Sequence, residues 1–124
     1  MKTSTKLVYV CSPLRGDIEK NIENAKEYCK YVVEKGLIPF APHLFFTTFL
    51  DDNIEEERKI GMSMGIDMLN KCDELWVFGD TISQGMFAEI TWWCENKNPL
   101  TVKTICDFKR RTKCLTKYKR TLRF

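Results

Sequence analysis

Short apolar segments alternate with longer amphipathic ones along this chain, and this alternation constrains its fold more than any other feature. Four segments are apolar and short enough to be strands: "KLVYVCSP", "LIPFAP", "DELWVFG" and "LTVKTICDF". Helical segments separate them, and the order β-α-β-α-β-α-β implies a parallel sheet with helices on both faces. We therefore predict an α/β fold, a flavodoxin-like doubly wound parallel sheet of four to five strands.

The first predicted helix carries clear start and stop signals. Apolar residues recur every three or four positions over residues 18–36, which predicts one buried stripe. Asp17 can cap the start of this helix and Gly36 can end it. The other predicted elements between the strands are helices over residues 54–72 and 86–98 and an aromatic loop over residues 43–53.

The charge distribution divides the chain into two parts. Residues 1–100 contain 11 Lys or Arg and 16 Asp or Glu, whereas residues 101–124 contain 9 and 1. We predict one domain over residues 1–106, followed by a basic tail over residues 107–124. The tail either contacts a phosphate backbone or an acidic partner, or is a solvated end whose charges only aid solubility.

The cysteine and histidine content argues against a metal site. The chain has six cysteines without a C-x-x-C pair and a single histidine, His43. Several cysteines lie among apolar residues of predicted strands and helices, where free thiols pack as small apolar groups. We therefore expect reduced thiols, no metal and no cofactor. The longest apolar runs are too short for a membrane span or a signal peptide, so we expect a cytoplasmic protein.

Two loops leave predicted strands and open helices, namely "CSPLRGD" and "GDTISQG". In open α/β sheets, ligands bind beyond the carboxyl ends of the strands. Small residues in such loops let a ligand approach the backbone, and Arg15 can pair with a phosphate or carboxylate. Glu89, six residues after Ser83, lies among apolar residues of the next helix. It is either a surface glutamate or a carboxylate that points into a pocket at the sheet end.

The stretches "YVCSPLRG" and "DELWVFG…SQGMFAE" resemble the nucleoside 2-deoxyribosyltransferase superfamily. They are most similar to its deoxynucleoside 5′-monophosphate N-glycosidase branch, which has a Y-x-C-x-x-x-R-G loop and an S-x-G-x-x-x-E motif. The stretch "APHLFF…LDDN" is also similar to an uncharacterised bacterial and phage branch. The resemblance covers roughly residues 6–100.

The resemblance implies a role for each matching residue. Glu89 matches the nucleophile that attacks the anomeric carbon of the sugar, and Tyr9 matches a tyrosine that orients it. Ser83 and Gly85 match residues that hold the 5′-phosphate or the sugar. The remaining candidate ligand-binding residues from these motifs are Ser12, Arg15, Gly16 and Met86. His43 either lines the same pocket or packs under the aromatic loop.

One position departs from the family pattern. The family carries an aspartate where this chain has Gly65, and the nearest carboxylate, Asp67, is rotated by ~200° on a helix. Asp67 is thus the candidate third catalytic residue, with Asp51 or Asp52 as alternatives. Gly61 and Gly65 form a smooth helix face that admits either a ligand or a neighbouring helix.

The resemblance implies cleavage or transfer at the N-glycosidic bond of a (deoxy)nucleoside or nucleoside 5′-monophosphate, without a cofactor. The alternative is a non-catalytic nucleotide-binding or sequestering protein, of phage origin for example. A nucleic-acid partner, through the tail, is the least favoured. Phe45, Phe46 and Phe49 either stack on a base or pack in a core or subunit interface, and Trp92 and Trp93 are expected to pack. The resemblance also implies a homo-oligomer.

Overall fold

A computed structural model describes residues 5–105 of the chain. The predicted tail over residues 107–124 lies outside the described residues. The strands are β1 (Leu7–Cys11), β2 (Ile38–Phe40), β3 (Glu74–Val77) and β4 (Val102–Thr104). The helices are α1 (Ile18–Glu34), α2 (Pro42–Phe45), α3 (Glu55–Lys71) and α4 (Gln84–Asn96), with 3-10 turns at Phe46–Thr48 and Pro99–Thr101.

The four strands form one parallel sheet in the order β2-β1-β3-β4. This arrangement confirms the predicted doubly wound, flavodoxin-like α/β fold. The strand order reverses between β1 and β3, where Tyr9 pairs with Leu75 and Cys11 pairs with Val77. Such a reversal opens a crevice beyond the carboxyl ends of the two strands, and that crevice is where ligands bind in this class of fold.

Side chains of β1 alternate between two cores, one on each face of the sheet. Val8 and Val10 join a cluster with Tyr28 and Val32 of α1. The intervening side chains face α3 and α4 in a second cluster, which contains Tyr9, Cys11, Leu69, Met86 and Trp93. This alternation follows from the two-residue period of a strand. It directs the polar ends of Tyr9 and Cys11 toward the α3–α4 face.

The start and stop signals of α1 behave as predicted. Asp17 Oδ1 accepts a hydrogen bond from the Lys20 backbone N–H at 3.2 Å, which satisfies one of the free donors at the start of a helix. Gly36 has φ +82°, a left-handed conformation that favours glycine and ends the helix.

The predicted loop over residues 43–53 is wrong in part. Pro42 begins α2, and a 3-10 turn follows at Phe46–Thr48. Proline fits the first turn of a helix because its missing N–H needs no partner there, and a four-residue helix is too short for an apolar period to reveal. These turns carry His43 and Phe46 over the carboxyl end of β1. Between residues 5 and 105, no helix has the length and apolar character needed to cross a bilayer.

Lys97 joins α4 to the end of α3. Its Nζ donates to the backbone carbonyl oxygens of Cys72 and of Asn70, the latter at 3.0 Å, and lies 4.5 Å from the centre of the Trp93 ring. These carbonyls lie at the C-terminal end of α3, where a cation is favoured.

We expect Lys97→Met to lower the free energy of unfolding by about 1–3 kcal/mol, because charge-assisted hydrogen bonds to carbonyls at the end of a helix are lost. Urea unfolding measures the change. Lys30→Met is the matched control, since Lys30 is exposed and forms only a 3.8 Å surface pair with Glu27. Equal unfolding free energies for the two variants would contradict this role of Lys97.

Candidate active site

Glu89 lies on α4, which begins directly after the turn that follows β3. Ser83 caps this helix: its Oγ accepts a hydrogen bond from the Met86 backbone N–H at 3.2 Å. The helix therefore starts at Gln84, two residues before the predicted Met86. This start places Glu89 one and a half turns into α4, above the carboxyl end of β1.

Each carboxylate oxygen of Glu89 accepts one hydrogen bond from β1. The Tyr9 hydroxyl donates to Oε2 at 2.6 Å, and the Cys11 thiol donates to Oε1 at 3.3 Å. Tyr9 and Cys11 are two residues apart, so they project from the same face of the strand. The two hydrogen bonds from β1 fix the orientation of the Glu89 carboxylate.

The electrostatics around Glu89 favour the protonated forms of its two donors, the Tyr9 hydroxyl and the Cys11 thiol. Burial, followed by the charge of Glu89, raises the pKa of Tyr9 and of Cys11 well above their ordinary values. Burial also raises the pKa of Glu89, while the hydrogen bonds from Tyr9 and Cys11 oppose that rise. The site thus holds a carboxylate that is more basic than usual beside two groups that can only donate to it.

A cavity opens beside Glu89 and Tyr9, with an empty volume of about 500 Å³ that includes its mouth. It is bounded by the loop after β1, by α2 with its 3-10 turn, and by α3. Its polar side chains are those of Tyr9, His43, Thr47, Asp52, Glu57, Arg58 and Glu89. Apolar groups from Leu14, Pro42, Phe46, Leu50 and Met62 complete the wall.

His43 lines this cavity as a neutral ring. Its Nε2 lies 2.7 Å from the Ser12 carbonyl oxygen, which can only accept, so Nε2 carries the proton and Nδ1 is an acceptor. Burial lowers the pKa of His43 and outweighs the hydrogen bond to Ser12 and the nearby charge of Asp52, which both raise it. A neutral imidazole with this tautomer cannot give a proton from Nδ1.

Glycines on α3 leave room for the Tyr9 hydroxyl. A Cβ at Gly65 would lie 3.3 Å from Tyr9 Oη, and one at Gly61 would lie 3.6 Å from Leu50 Cδ1. Any side chain at position 65 would therefore crowd the hydroxyl that holds Glu89. The smooth face expected of Gly61 and Gly65 borders the cavity.

Asp52 supplies a second carboxylate to the cavity wall. Its Oδ2 lies 3.9 Å from Arg15 Nε, and its Oδ1 lies 3.9 Å from Arg58 Nε. Asp51, its neighbour, is exposed and does not line this cavity, although both aspartates border a second depression. The structure thus separates the two aspartates that the sequence left as alternatives.

The structure brings together only part of the predicted site. Glu89, Tyr9 and His43 line the cavity. Asp67 is exposed and does not line the cavity, because it faces away from Gly65 around α3. The predicted ligand-binding residues outside this lining are Ser12, Arg15, Gly16, Ser83, Gly85 and Met86. Ser12 and Arg15 contact lining residues, since the Ser12 carbonyl oxygen accepts from His43 and Arg15 pairs with Asp52.

Met86 and the three small residues differ in their surroundings. The Met86 side chain is buried in the core with Trp93, and its sulfur accepts from the Ser83 backbone N–H, so it has no free surface for a ligand. Gly16 and Gly85 are open: a Cβ at either position would meet nothing within 4 Å. These two glycines leave space beyond the strands, outside the Glu89 cavity.

Sequence reasoning missed two contributors, Cys11 and Arg58. The spacing of Cys11 from Tyr9 on a strand was the available signal, because residues two apart share a face. Arg58 precedes Gly61 by three residues and Gly65 by seven, a helical spacing that puts all three on one side of α3. Neither signal identifies a partner until the sheet order is known.

The fold and the site define a doubly wound α/β protein with a partly buried, hydrogen-bonded glutamate at the switch point of its sheet. Residues 6–103 match the family described as Domain of unknown function (DUF7768), and the chain belongs to this family. No match was found among curated proteins or among solved structures.

Proposed function

We propose that this protein acts on the N-glycosidic bond of a (deoxy)nucleoside or nucleoside 5′-monophosphate, with Glu89 as nucleophile. The observation that carries the proposal is the pairing of Glu89 with the Tyr9 hydroxyl at 2.6 Å and the Cys11 thiol at 3.3 Å on the wall of a cavity. A carboxylate buried and oriented at a switch point, with access to a ligand, suits attack on a sugar carbon.

The proposed chemistry runs in two steps. A Glu89 oxygen forms a bond to the anomeric carbon as the carbon–nitrogen bond breaks, and that electron pair leaves with the base, which takes up a proton. Water then attacks the same carbon, and the sugar leaves with the new hydroxyl while Glu89 regains its carboxylate. A second base in place of water would give transfer rather than hydrolysis.

The neighbours of Glu89 have distinct parts in this scheme. Tyr9 and Cys11 hold the carboxylate, and their hydrogen bonds lower the pKa of Glu89 against the rise that burial causes. His43 is neutral and serves as an acceptor toward the ligand, since its one N–H is bonded to the Ser12 carbonyl. The leaving base must take its proton from water or from another group, so we expect slow hydrolysis rather than rapid transfer.

Membership in the nucleoside 2-deoxyribosyltransferase superfamily is part of the proposal and rests on the matching motifs. In that scheme Ser83 and Gly85, at the start of α4, hold the sugar or the 5′-phosphate.

Four free cysteines, Cys11, Cys29, Cys72 and Cys94, occur among the described residues and fit the cytoplasmic location that we propose.

A second candidate function, nucleotide binding without cleavage, is favoured by one observation. Gly65 stands where the resemblance implies an aspartate. A Cβ at this position would lie 3.3 Å from Tyr9 Oη, so an acidic side chain would crowd that hydroxyl. Without an acid, a bound nucleotide would leave unchanged.

Incubation with the common deoxynucleosides, ribonucleosides and their 5′-monophosphates tests both functions. Chromatography measures free base, and calorimetry measures binding of the same compounds. We expect release of free base from at least one of them. Binding with full recovery of intact ligand would contradict the glycosidase function and support nucleotide binding without cleavage.

We also propose that the chain forms a homo-oligomer. Phe45 and Phe49 are exposed by 53% and 56% and pack against each other at 5.4 Å between ring centres, and Phe87 on α4 is exposed by 65%. A pair of adjacent exposed aromatic rings suits a contact with another subunit. Light scattering coupled to size-exclusion chromatography is expected to give at least twice the monomer mass. A monomer mass at micromolar concentration would exclude this assembly.

A further inference from the structure

The cavity contains a second carboxylate with an unused oxygen. We propose that Asp52 binds the ligand, and that its Oδ2 accepts a hydrogen bond from an O–H or N–H group of the nucleoside. The inference rests on the proposed function, because it assigns a ligand contact within the same cavity. The chemical class is a donor on the sugar or on the base.

The surroundings of Asp52 leave one oxygen free for a ligand. Its Oδ2 is buried and has no hydrogen-bond partner among the described residues. The arginine nitrogens lie 3.9 Å away, which is too far for a hydrogen bond. A buried acceptor without a partner costs free energy, and a bound donor would remove that cost.

The other acids near the cavity differ from Asp52. Glu57 also lines the cavity, but its Oε1 accepts a hydrogen bond from the Asp51 backbone N–H at 2.7 Å and so holds the loop. Asp67 is exposed and outside the lining. An acid at position 65 would crowd the Tyr9 hydroxyl, which lies 3.3 Å from the site of its Cβ. Among the described residues, Asp52 is the cavity acid whose side chain has a buried oxygen without a hydrogen-bond partner.

The two flanking arginines determine what kind of contact Asp52 can make. Each carboxylate oxygen of Asp52 lies 3.9 Å from an arginine Nε, and a carboxylate oxygen can accept a hydrogen bond from a ligand. Asp52 thus orients the ligand relative to Glu89 by accepting a hydrogen bond from it. It also discriminates against ligands that lack a donor at the matching position.

The test compares Asp52→Asn with wild type. The probes are 2′-deoxyadenosine, 2′-deoxyguanosine, 2′-deoxycytidine and thymidine, each with its 2′,3′-dideoxy form. We expect kcat/KM for base release, or the affinity where no release occurs, to fall about 10- to 100-fold in Asp52→Asn. Asp51→Asn, the matched control, is expected to stay within about twofold of wild type, a change worth less than ~0.5 kcal/mol.

The dideoxy probes locate the donor. A loss confined to probes with a 3′-hydroxyl assigns that hydroxyl to Asp52, whereas an equal loss with both forms assigns a base N–H or the 5′-hydroxyl, which both forms retain. If thermal unfolding shows that Asp52→Asn does not fold, Asp52→Ser takes its place. The same fold-changes in kcat/KM or affinity are then expected. Equal behaviour of the Asp52 and Asp51 variants overturns the inference while the proposed function stands. A wild-type protein that neither binds nor cleaves any of these probes or their 5′-monophosphates overturns both.

Discussion

Replacing Glu89 with glutamine is expected to lower base release by about a thousandfold or more, because the amide cannot form the bond to the anomeric carbon. Glutamine keeps the size of the side chain, and it still accepts a hydrogen bond from Tyr9, so the fold is expected to remain. Chromatographic measurement of free base in the presence of the best nucleoside or monophosphate gives the rate.

The same variant has an expected effect on stability. Burial raises the pKa of Glu89, so the folded state binds its proton more tightly than the unfolded state does. Glu89 therefore lowers stability above its folded pKa, and this penalty disappears as the pH falls below its unfolded pKa. Glu89→Gln removes it, so urea unfolding at pH 7 should give a free energy no lower than that of wild type.

The control for Glu89→Gln is Glu95→Gln, an exposed position on the same helix. Unchanged base release by the Glu89 variant would sink the nucleophile assignment. Loss of base release together with a lower unfolding free energy would instead make Glu89 a structural residue. The two readouts thus separate chemistry from folding.

Tyr9→Phe is expected to lower kcat/KM at neutral pH by about 10- to 100-fold and to move the acidic limb of the rate profile to higher pH. The rate depends on ionised Glu89, so it falls as the pH drops through the pKa of that carboxyl. The hydrogen bond from Tyr9 lowers this pKa against the effect of burial. Its removal lets the pKa rise further, and less Glu89 is ionised at any given pH.

Tyr31→Phe is the matched control, because Tyr31 lies in the core on the opposite face of the sheet, against Trp76 and Phe78. Its acidic limb should coincide with that of wild type. A Tyr9 variant with a slower rate but an unmoved acidic limb would show that the hydroxyl contacts the ligand rather than Glu89. Measurement of kcat/KM from pH 4 to 8 distinguishes the two results.

Local sequence patterns predicted most of the fold. The strands and the three longer helices lie within two residues of their predicted bounds, except that β4 ends four residues early. The agreement is close because each element has an apolar period or a cap that acts locally. Pro42–Phe45 was missed because a single turn has no period to detect. The order β2-β1-β3-β4 was not predicted, because the β-α-β alternation indicates parallel strands but does not fix which strands are neighbours.

The candidate site was predictable only where motif and strand period coincide. Glu89 and Tyr9 were identified through the resemblance, whereas Cys11 was missed although the period of two puts it on the same strand face as Tyr9. Their contact joins residues 80 positions apart, so it depends on α4 lying over β1. Met86 was misjudged because the position of a residue in a motif does not reveal whether its side chain points into the core.

The sequence by itself determined the layered fold, because strand and helix periods are local and each leaves one pattern of apolar residues. Only the tertiary structure decided among Asp51, Asp52 and Asp67, since the loop before α3 and the rotation of that helix set which carboxylate reaches the cavity. The tertiary structure also explains why a glycine suits position 65, because any side chain there would crowd the Tyr9 hydroxyl. Such choices depend on distances between segments far apart in the chain, which only the packed sheet and helices fix.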